Sequence, residues 1–141
     1  MRAAAVTLVL VASCDALPRD PEGTLEAARG GSLHVGVTES PPWIVRAGDT
    51  AVGIEAEVVK GFADAIDAEI IWVWGPAEHH FEQLETFDLD LAATGLTKDT
   101  PWKKKLGVSR PYLGSSRVLV VPPGENDLLV TLDRYLEERK R

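Results

Sequence analysis

The sequence predicts an α/β fold in which a mostly parallel sheet of about four strands is flanked by helices on both faces. Two observations carry this prediction. Strand-like apolar segments alternate with amphipathic helical segments between residues 32 and 121, and this alternation is typical of βαβ units. One of the strand-like segments is a continuous apolar run, as expected for a strand that is buried on both faces of a parallel sheet.

Four segments have the composition of strands. Residues 33–38 alternate between apolar and polar or small side chains, which indicates a strand with one buried face. Residues 69–74 form the continuous apolar run, and residues 89–94 and 117–121 are shorter apolar segments. We expect the first three strands to be parallel, because helical segments separate them along the chain.

Three segments have the period of amphipathic helices. The first covers residues 54–67, where apolar residues form one stripe and Glu55 and Glu57 are predicted to face water, stabilised by the helix dipole. The second begins at Pro76 and the third near Asn126, each with an apolar face of its own. The third helix is expected to pack back across the sheet.

The second helix contains a group of candidate metal ligands, namely Glu78, His79, His80 and Glu82. Adjacent histidines on a helix point about 100° apart and do not easily bind the same ion. His79 and Glu82 share a face, but the sequence places no third ligand beside them, so these residues are predicted to be solvated. Neither a metal site nor a cofactor is therefore predicted.

Charge and composition exclude several classes of partner and structure. The 141-residue chain has a formal net charge of −7, so it lacks the basic field that nucleic-acid binding requires. Its 45% hydrophobic and 26% charged residues are ordinary for a soluble globular protein with one modest core. Cys14 is the only cysteine, which rules out an intramolecular disulfide.

The N-terminus has the features of an export signal. A positive start at Met1-Arg2 is followed by an apolar run over residues 3–12, too short to remain as a membrane-spanning helix. Small residues then precede Cys14, which looks like a bacterial lipoprotein signal in which the cysteine is lipidated and becomes the mature N-terminus. The alternatives are an ordinary secretory signal or a frayed apolar start that is wrongly counted as coding sequence. Residues 14–31, rich in proline, glycine and charge, are expected to be a tether with room for a short helix over residues 24–29, and an unstructured terminus is the alternative.

A ligand site is expected at one edge of the sheet. If the first and third strands are parallel neighbours, the loops after Thr38 and Thr94 leave the sheet at the same edge. Open α/β sheets bind ligands in the crevice beyond the carboxyl ends of their strands. Trp43 and residues 95–97 would then face one site from two loops.

Two segments carry a family resemblance. Residues 33–43 read LHVGVTESPPW, and residues 89–112 read LDLAATGLTKDTPWKKKLGVSRPY. They resemble the first strand with its ligand loop, and the signature, of family 3 extracytoplasmic solute-binding proteins, which bind amino acids and other polar solutes for ABC importers. In that signature D-x-x-x-x-G-x-T leads to T-x-x-R, a basic turn and F-S-x-P-Y. The positions that fit it are Asp90, Gly95, Thr97, Lys104, Lys105, Ser109, Pro111 and Tyr112.

The resemblance implies a ligand site formed by Glu39, Trp43, Gly95, Thr97 and Trp102. In the family, the aromatic residue after the prolines stacks on the solute, which is the role implied for Trp43; packing over the sheet edge is the alternative. Trp102 stands where the family has an arginine that binds the ligand. Because an indole offers one donor and no charge, Trp102 indicates either a ligand other than a free amino acid or no small ligand at all; the alternative is that Trp102 packs within a degenerate lobe.

The expected organisation is a signal peptide of the lipoprotein type over residues 1–13, a tether over 14–31, and one lobe of a periplasmic-binding-protein type II fold over 32–141. Family members continue after the counterpart of Val121 through a second lobe, which this sequence lacks. A functional short protein and a fragment of a disrupted gene both fit this observation.

The implied function is the extracytoplasmic substrate-binding domain of an ABC-type importer for amino acids or other small polar solutes. The alternative is a degenerate lobe that acts as a sensor or a protein-interaction module. The implied partners are a small polar solute, an ABC permease or a separately encoded second lobe, and the membrane through the lipid anchor. No nucleophile–base pair or phosphate loop is recognisable in the sequence, so an enzyme is not expected.

Overall fold

The computed structural model describes residues 17–141. The predicted signal peptide and Cys14 therefore lie outside the described residues. In chain order the elements are α1 (Thr24–Ala28), β1 (Ser32–Val37), β2 (Val45–Ala47), β3 (Thr50–Val52), α2 (Ile54–Ala65), β4 (Glu69–Trp74), α3 (Ala77–Glu85), β5 (Leu91–Ala93), a 3₁₀ turn (Pro101–Lys104), β6 (Gly107–Val108), β7 (Val120–Val121) and α4 (Asn126–Glu138).

The central sheet has five strands in the order β4-β1-β5-β7-β6. Strand β1 lies between β4 and β5 and is parallel to both, which completes two βαβ units. Strand β7 is antiparallel to β5, and β6 is antiparallel to β7. Strands β2 and β3 form a separate two-stranded hairpin. The predicted α/β fold with a largely parallel sheet is confirmed, with one more strand than expected.

Strand β4 differs from its prediction. It was expected to be buried on both faces, but it forms an edge of the sheet, and Glu69 and Ile71 are exposed. The tryptophans of this strand, Trp72 and Trp74, are partly buried against the main core. The strand with a parallel neighbour on each side is instead β1.

Two hydrophobic layers cover the two faces of the sheet. The larger layer contains Phe62 from α2 and the leucines of α4 at 128, 132 and 136, packed on β1 and β5. The smaller layer contains Phe81 and Leu84 from α3, on the opposite side. Helices therefore lie on both faces, and α4 packs back across the sheet, as the sequence predicts.

The segment before β1 is packed against the lobe. Glu125 accepts hydrogen bonds from the backbone N–H groups of Glu22 (2.9 Å) and Thr24 (3.1 Å), and Leu25 is buried in the main core. Asp20 accepts bonds from the N–H groups of Leu25 (2.9 Å) and Leu128 (3.0 Å). The folded part therefore begins near residue 20, earlier than the boundary at 32 expected from composition.

Within residues 17–141, none of the helices is both long and apolar enough to cross a membrane.

Candidate ligand-binding site

The carboxyl ends of three parallel strands meet at one edge of the sheet. Val37 of β1 pairs with Trp74 of β4 on one side and with Ala93 of β5 on the other. The next residue, Thr38, connects the same neighbours: its hydroxyl donates to the Gly75 carbonyl (2.9 Å) and its N–H to the Ala93 carbonyl (3.4 Å). The loops that follow these strands therefore start side by side.

The loop that carries Trp43 is fixed to the start of α2. The N–H groups of Ile54 and Glu55 donate to the carbonyls of Pro42 (3.2 Å) and Trp43 (2.9 Å). Gly53 makes this approach possible, because its φ is 117° and a Cβ there would lie 2.6 Å from the Trp43 carbonyl oxygen. The helix start thus holds the Trp43 backbone beside Glu55.

A buried ion pair lies next to Trp43. Glu55 is 0% exposed, and its Oε2 atom is 2.8 Å from Nε and 2.6 Å from Nη2 of Arg117. The guanidinium group of Arg117 lies over the indole of Trp43, with Cζ 4.3 Å from the ring centroid. The prediction that Glu55 faces water was wrong, because its side chain projects from the first turn of α2 toward Arg117 rather than toward solvent.

The loop after β5 reaches the same guanidinium group. Gly95 has a φ of 81°, and a Cβ at this position would lie 3.2 Å from Nη2 of Arg117. Thr97, whose side chain is exposed, forms an isolated antiparallel bridge with Arg117. Trp43, Gly95 and Thr97, which the sequence placed in one site, therefore all lie around a residue that the sequence did not single out.

Buried polar atoms without hydrogen-bond partners are concentrated at this edge. Within residues 17–141 they include Ser40 Oγ, Glu55 Oε1, Trp74 Nε1, Thr94 Oγ1 and Tyr112 Oη. Ser40, Trp74 and Thr94 lie at or just beyond the ends of the parallel strands, and the other two lie at the ion pair. Buried polar atoms are normally paired with protein or water, so such a concentration is typical of a site that a ligand or solvent completes.

Tyr112 contributes a neutral phenol to this group. Burial raises its pKa well above the usual range, and the negative charge of Glu55 raises it further, while Arg117 opposes the shift. The hydroxyl therefore stays protonated at any physiological pH and keeps a proton to donate.

The other two predicted site residues have different surroundings. Glu39 is exposed, and its Oε1 accepts a hydrogen bond from the Arg46 N–H (3.3 Å). Trp102 is half-buried in the smaller hydrophobic layer, with its ring centroid 4.7 Å from that of Phe81. Lys105 lies on the Trp102 ring, with Nζ 5.6 Å from the centroid. Ligand binding by Glu39 and Trp102 stays a prediction.

The histidines of α3 do not form a metal site in the described part of the chain, where no group of three or more potential ligands occurs. His79 lies 3.9 Å from Glu82 at the surface. His80, expected to be solvated, is fully buried, and its Nε2 donates to the Val37 carbonyl (3.0 Å). It thereby holds α3 on the end of β1.

The sequence profile of the bacterial extracellular solute-binding proteins, family 3, matches residues 33–138. The chain belongs to this family. The resemblance inferred from residues 33–43 and 89–112 is thus confirmed, and solute binding and an extracytoplasmic location are the general properties of the family. No curated protein is significantly similar to the chain.

Solved structures of amino-acid-binding proteins, two of them of a single domain, superpose on this chain. The arginine-bound form of domain 1 from TmArgBP, the arginine-binding protein of T. maritima, has 25% identity and a TM-score of 0.71, covering 80% of this chain and 97% of that domain. A single-substitution mutant of the same arginine-bound domain has 25% identity and a TM-score of 0.74, with coverages of 83% and 98%. An ancestral amino acid-binding protein, described as a precursor of cyclohexadienyl dehydratase, shares the fold at 14% identity and a TM-score of 0.74, with coverages of 83% and 93%. The chain therefore corresponds to one lobe of such a protein.

Sequence reasoning missed Glu55 and Arg117. The two residues are 62 positions apart, so no local spacing connects them. The signal that could have pointed to them is their position in the sequence: Arg117 directly precedes the apolar segment 118–121, and Glu55 directly follows Gly53-Ile54. Both positions adjoin the edge of the sheet where the ligand site was predicted.

Proposed function

We propose that this lobe is the extracytoplasmic substrate-binding domain of an ABC-type importer and binds an amino acid or another small polar solute at the carboxyl edge of its sheet. Family membership and the arginine-bound single domains support binding rather than catalysis. The observation that carries the location is the concentration of unpartnered buried polar atoms at this edge.

The proposed site uses the two loops in different ways. Trp43 offers the ring face that Arg117 does not cover. The 95–97 segment offers the exposed side chain of Thr97 beside the Gly95 backbone, where the Arg117 guanidinium group fills the space left by the missing side chain. Glu39 lies on the exposed rim and would select for donor groups on the solute. Trp102 remains a candidate from its position in the signature, in addition to its packing on Phe81.

The proposal extends to the N-terminus. Residues 1–13 would direct export, lipidated Cys14 would anchor the lobe, and residues 14–18 would be the part of the expected tether that lies ahead of the docked segment, which begins where the Arg19 carbonyl accepts a hydrogen bond from the Asn126 N–H (3.0 Å). Metabolic labelling with a palmitate analogue tests this. Label on the wild-type protein that Cys14→Ser removes is the expected result, and an unlabelled wild-type protein would contradict the anchor.

A thermal-shift screen of the chain lacking residues 1–13, against amino acids, small peptides, organic acids and polyamines, tests the binding function. A ligand at a hundredfold its dissociation constant stabilises the folded state by about 2.7 kcal/mol, which corresponds to a rise of several degrees. We expect a compound to give such a rise in the wild type and in the control Thr50→Ala, which changes an exposed hairpin residue. Trp43→Ala and Thr97→Ala should abolish it.

A second function, as a sensor or protein-interaction module, is favoured by one observation. Val52 and Ile54 are 37% and 44% exposed close to the loop that carries Trp43, whose indole Arg117 already covers. A cooperative melt that no solute shifts would favour this function over solute binding.

A further inference from the structure

We infer that the carboxyl edge contains a guanidinium-binding cradle that Arg117 occupies from within the chain, and that Arg117 thereby excludes arginine-like cations from the site. The cradle consists of the Trp43 ring, the Glu55 carboxylate and the Gly95 backbone. The claim that Arg117 selects among solutes rests on the proposed binding function. The claim that Arg117 fills the cradle does not.

The contacts of Arg117 are those that recognise a guanidinium group. The ring face of Trp43 lies 4.3 Å from Cζ, a distance at which a cation is attracted to the indole. The Glu55 carboxylate contacts Nε and Nη2, so charge and stacking act on the same planar group. Because Glu55 is fully buried, solvent screens this attraction little.

Gly95 completes the cradle by leaving space. The guanidinium nitrogens of Arg117 would lie 3.2 Å and 3.4 Å from a Cβ at Gly95, closer than an ordinary carbon contact. The φ of 81° at this position also favours glycine. A side chain at residue 95 would therefore enter the space that the guanidinium group fills.

A second arginine shows that stacking alone does not make such a cradle. Arg46 lies over Trp74 with Cζ 5.1 Å from the ring centroid, but its side chain is exposed. Its Nε donates to the Gly48 carbonyl (3.4 Å), and none of the ion pairs in the described part of the chain involves it. Arg46 is thus a matched control: an arginine on a tryptophan without the buried carboxylate.

The backbone keeps Arg117 in place. The Arg117 N–H donates to Ser115 Oγ (3.1 Å), and the flanking residues Ser116 and Val118 pair with Lys98 and Leu96 through backbone bonds of 2.9 Å. A tethered group competes with free ligands at a high effective concentration. A free cation would therefore have to displace a competitor that is already bound, whereas a neutral or anionic group does not compete with Arg117 for the Glu55 carboxylate.

This assigns the solute class of the site. With the charge of Glu55 already paired, the site should take solutes whose group nearest Trp43 is neutral or anionic, and should reject arginine and polyamines. Arg117 is then the residue that sets specificity, although the single domains similar to this chain are arginine-bound.

The test removes the Arg117 side chain and asks whether a free guanidinium compound binds in its place. Arg117→Ala in the full-length chain is titrated with ethylguanidinium chloride, the fragment that the substitution removes, and with ethylammonium chloride at equal ionic strength. The readouts are the melting temperature and the NMR resonance of the Trp43 indole N–H.

In Arg117→Ala we expect ethylguanidinium to change both readouts saturably and ethylammonium to change them clearly less. Neither compound should change them in the wild type or in Arg46→Ala. Equal responses to the two cations, or no response, would overturn the inference; folding of Arg117→Ala only in ethylguanidinium would support it.

A measurement on the wild type decides the case in which Arg117→Ala does not fold under any condition. Rotation about the Nε–Cζ bond of Arg117 should be slow by NMR and that of Arg46 fast, and L-arginine should leave the Trp43 indole resonance unmoved. Fast rotation at Arg117, or a saturable response of Trp43 to L-arginine, would overturn the inference. A response of Trp43 to L-arginine would at the same time support the proposed solute binding. If ethylguanidinium binds to Arg117→Ala but no solute binds to the wild type, the cradle is supported and the binding function is contradicted.

Discussion

Trp43 and Trp102 occupy comparable loop positions but have opposite surroundings. Both were predicted to bind ligand, and each has a cation on its ring. The cation on Trp43 is paired with a fully buried carboxylate, whereas Trp102 packs on Phe81 in a hydrophobic layer and its lysine stays exposed. The partner of the cation, rather than the ring or the cation itself, distinguishes the two surroundings.

The largest effect on stability should come from breaking the Glu55–Arg117 ion pair next to Trp43. Glu55→Gln leaves the mostly buried guanidinium of Arg117 without its counter-charge, so we expect a loss of about 3 kcal/mol in the free energy of unfolding. Urea denaturation measures it. The control is Glu57→Gln, which removes a partly exposed pair with Lys60 (3.2 Å) and should cost about 0.5 kcal/mol or less. Equal losses would mean that the buried pair contributes no more than a surface pair.

Removing the two rings should separate their functions. Trp102→Ala leaves a gap beside Phe81, and we expect it to lower the free energy of unfolding by about 2–3 kcal/mol, somewhat less than a fully buried tryptophan would. If Trp102 acts only through this packing, any solute-induced thermal shift stays unchanged, while Trp43→Ala should remove that shift. A Trp102→Ala variant that keeps its stability and loses the shift would place Trp102 in the binding site after all.

Two glycines test how firmly the Arg117 guanidinium group is held beside Trp43. Gly95 and Gly114 both have positive φ, 81° and 63°, but a Cβ at Gly114 would meet no atom within 4 Å. Alanine at either position costs about 1 kcal/mol for the backbone. Gly95→Ala should cost more, because it also displaces the guanidinium group. The same loss of unfolding free energy in both variants would show that the guanidinium group moves aside freely.

The smallest effect concerns a carboxylate that is only half-buried. Burial raises the pKa of Asp133 above 3.8, against the opposing hydrogen bond from the Arg110 N–H (2.8 Å). Because the folded state then holds its proton to higher pH than the unfolded state, stability falls as pH rises from 3.8 through the raised pKa. Asp133→Asn should remove this slope and be at least as stable as wild type at neutral pH. Urea denaturation across this range measures it, with Glu138→Gln, an exposed acid of the same helix, as the control that should retain the slope.

Element types and chain order could be predicted from the sequence because apolar periodicity is a local signal. The alternation over residues 33–38 and the stripe over 54–67 correspond to β1 and α2. The place of β4 at the sheet edge could not be predicted, since an apolar run has the same composition at an edge and in the centre.

The candidate site was predictable only in part. Convergence of the Trp43 loop with residues 95–97 follows from parallel strands sharing an edge. The Glu55–Arg117 pair does not, because an acid in the first turn of a helix has the same sequence pattern whether the dipole or a distant arginine stabilises it. The bridge between Thr97 and Arg117, which no sequence spacing indicates, is what brings the arginine there.

The carboxylate of Asp20 has a mechanical consequence. It accepts hydrogen bonds from the starts of both α1 and α4, through Leu25 and Leu128, while Glu125 binds the backbone of Glu22 and Thr24. If residues 14–18 connect the lobe to a membrane, tension along the chain reaches the fold first at these bonds. Part of the load then passes into α4 rather than along α1 into β1, so a pull on the anchor would be shared with the C-terminal helix before it reaches the strand that leads to the ligand loops.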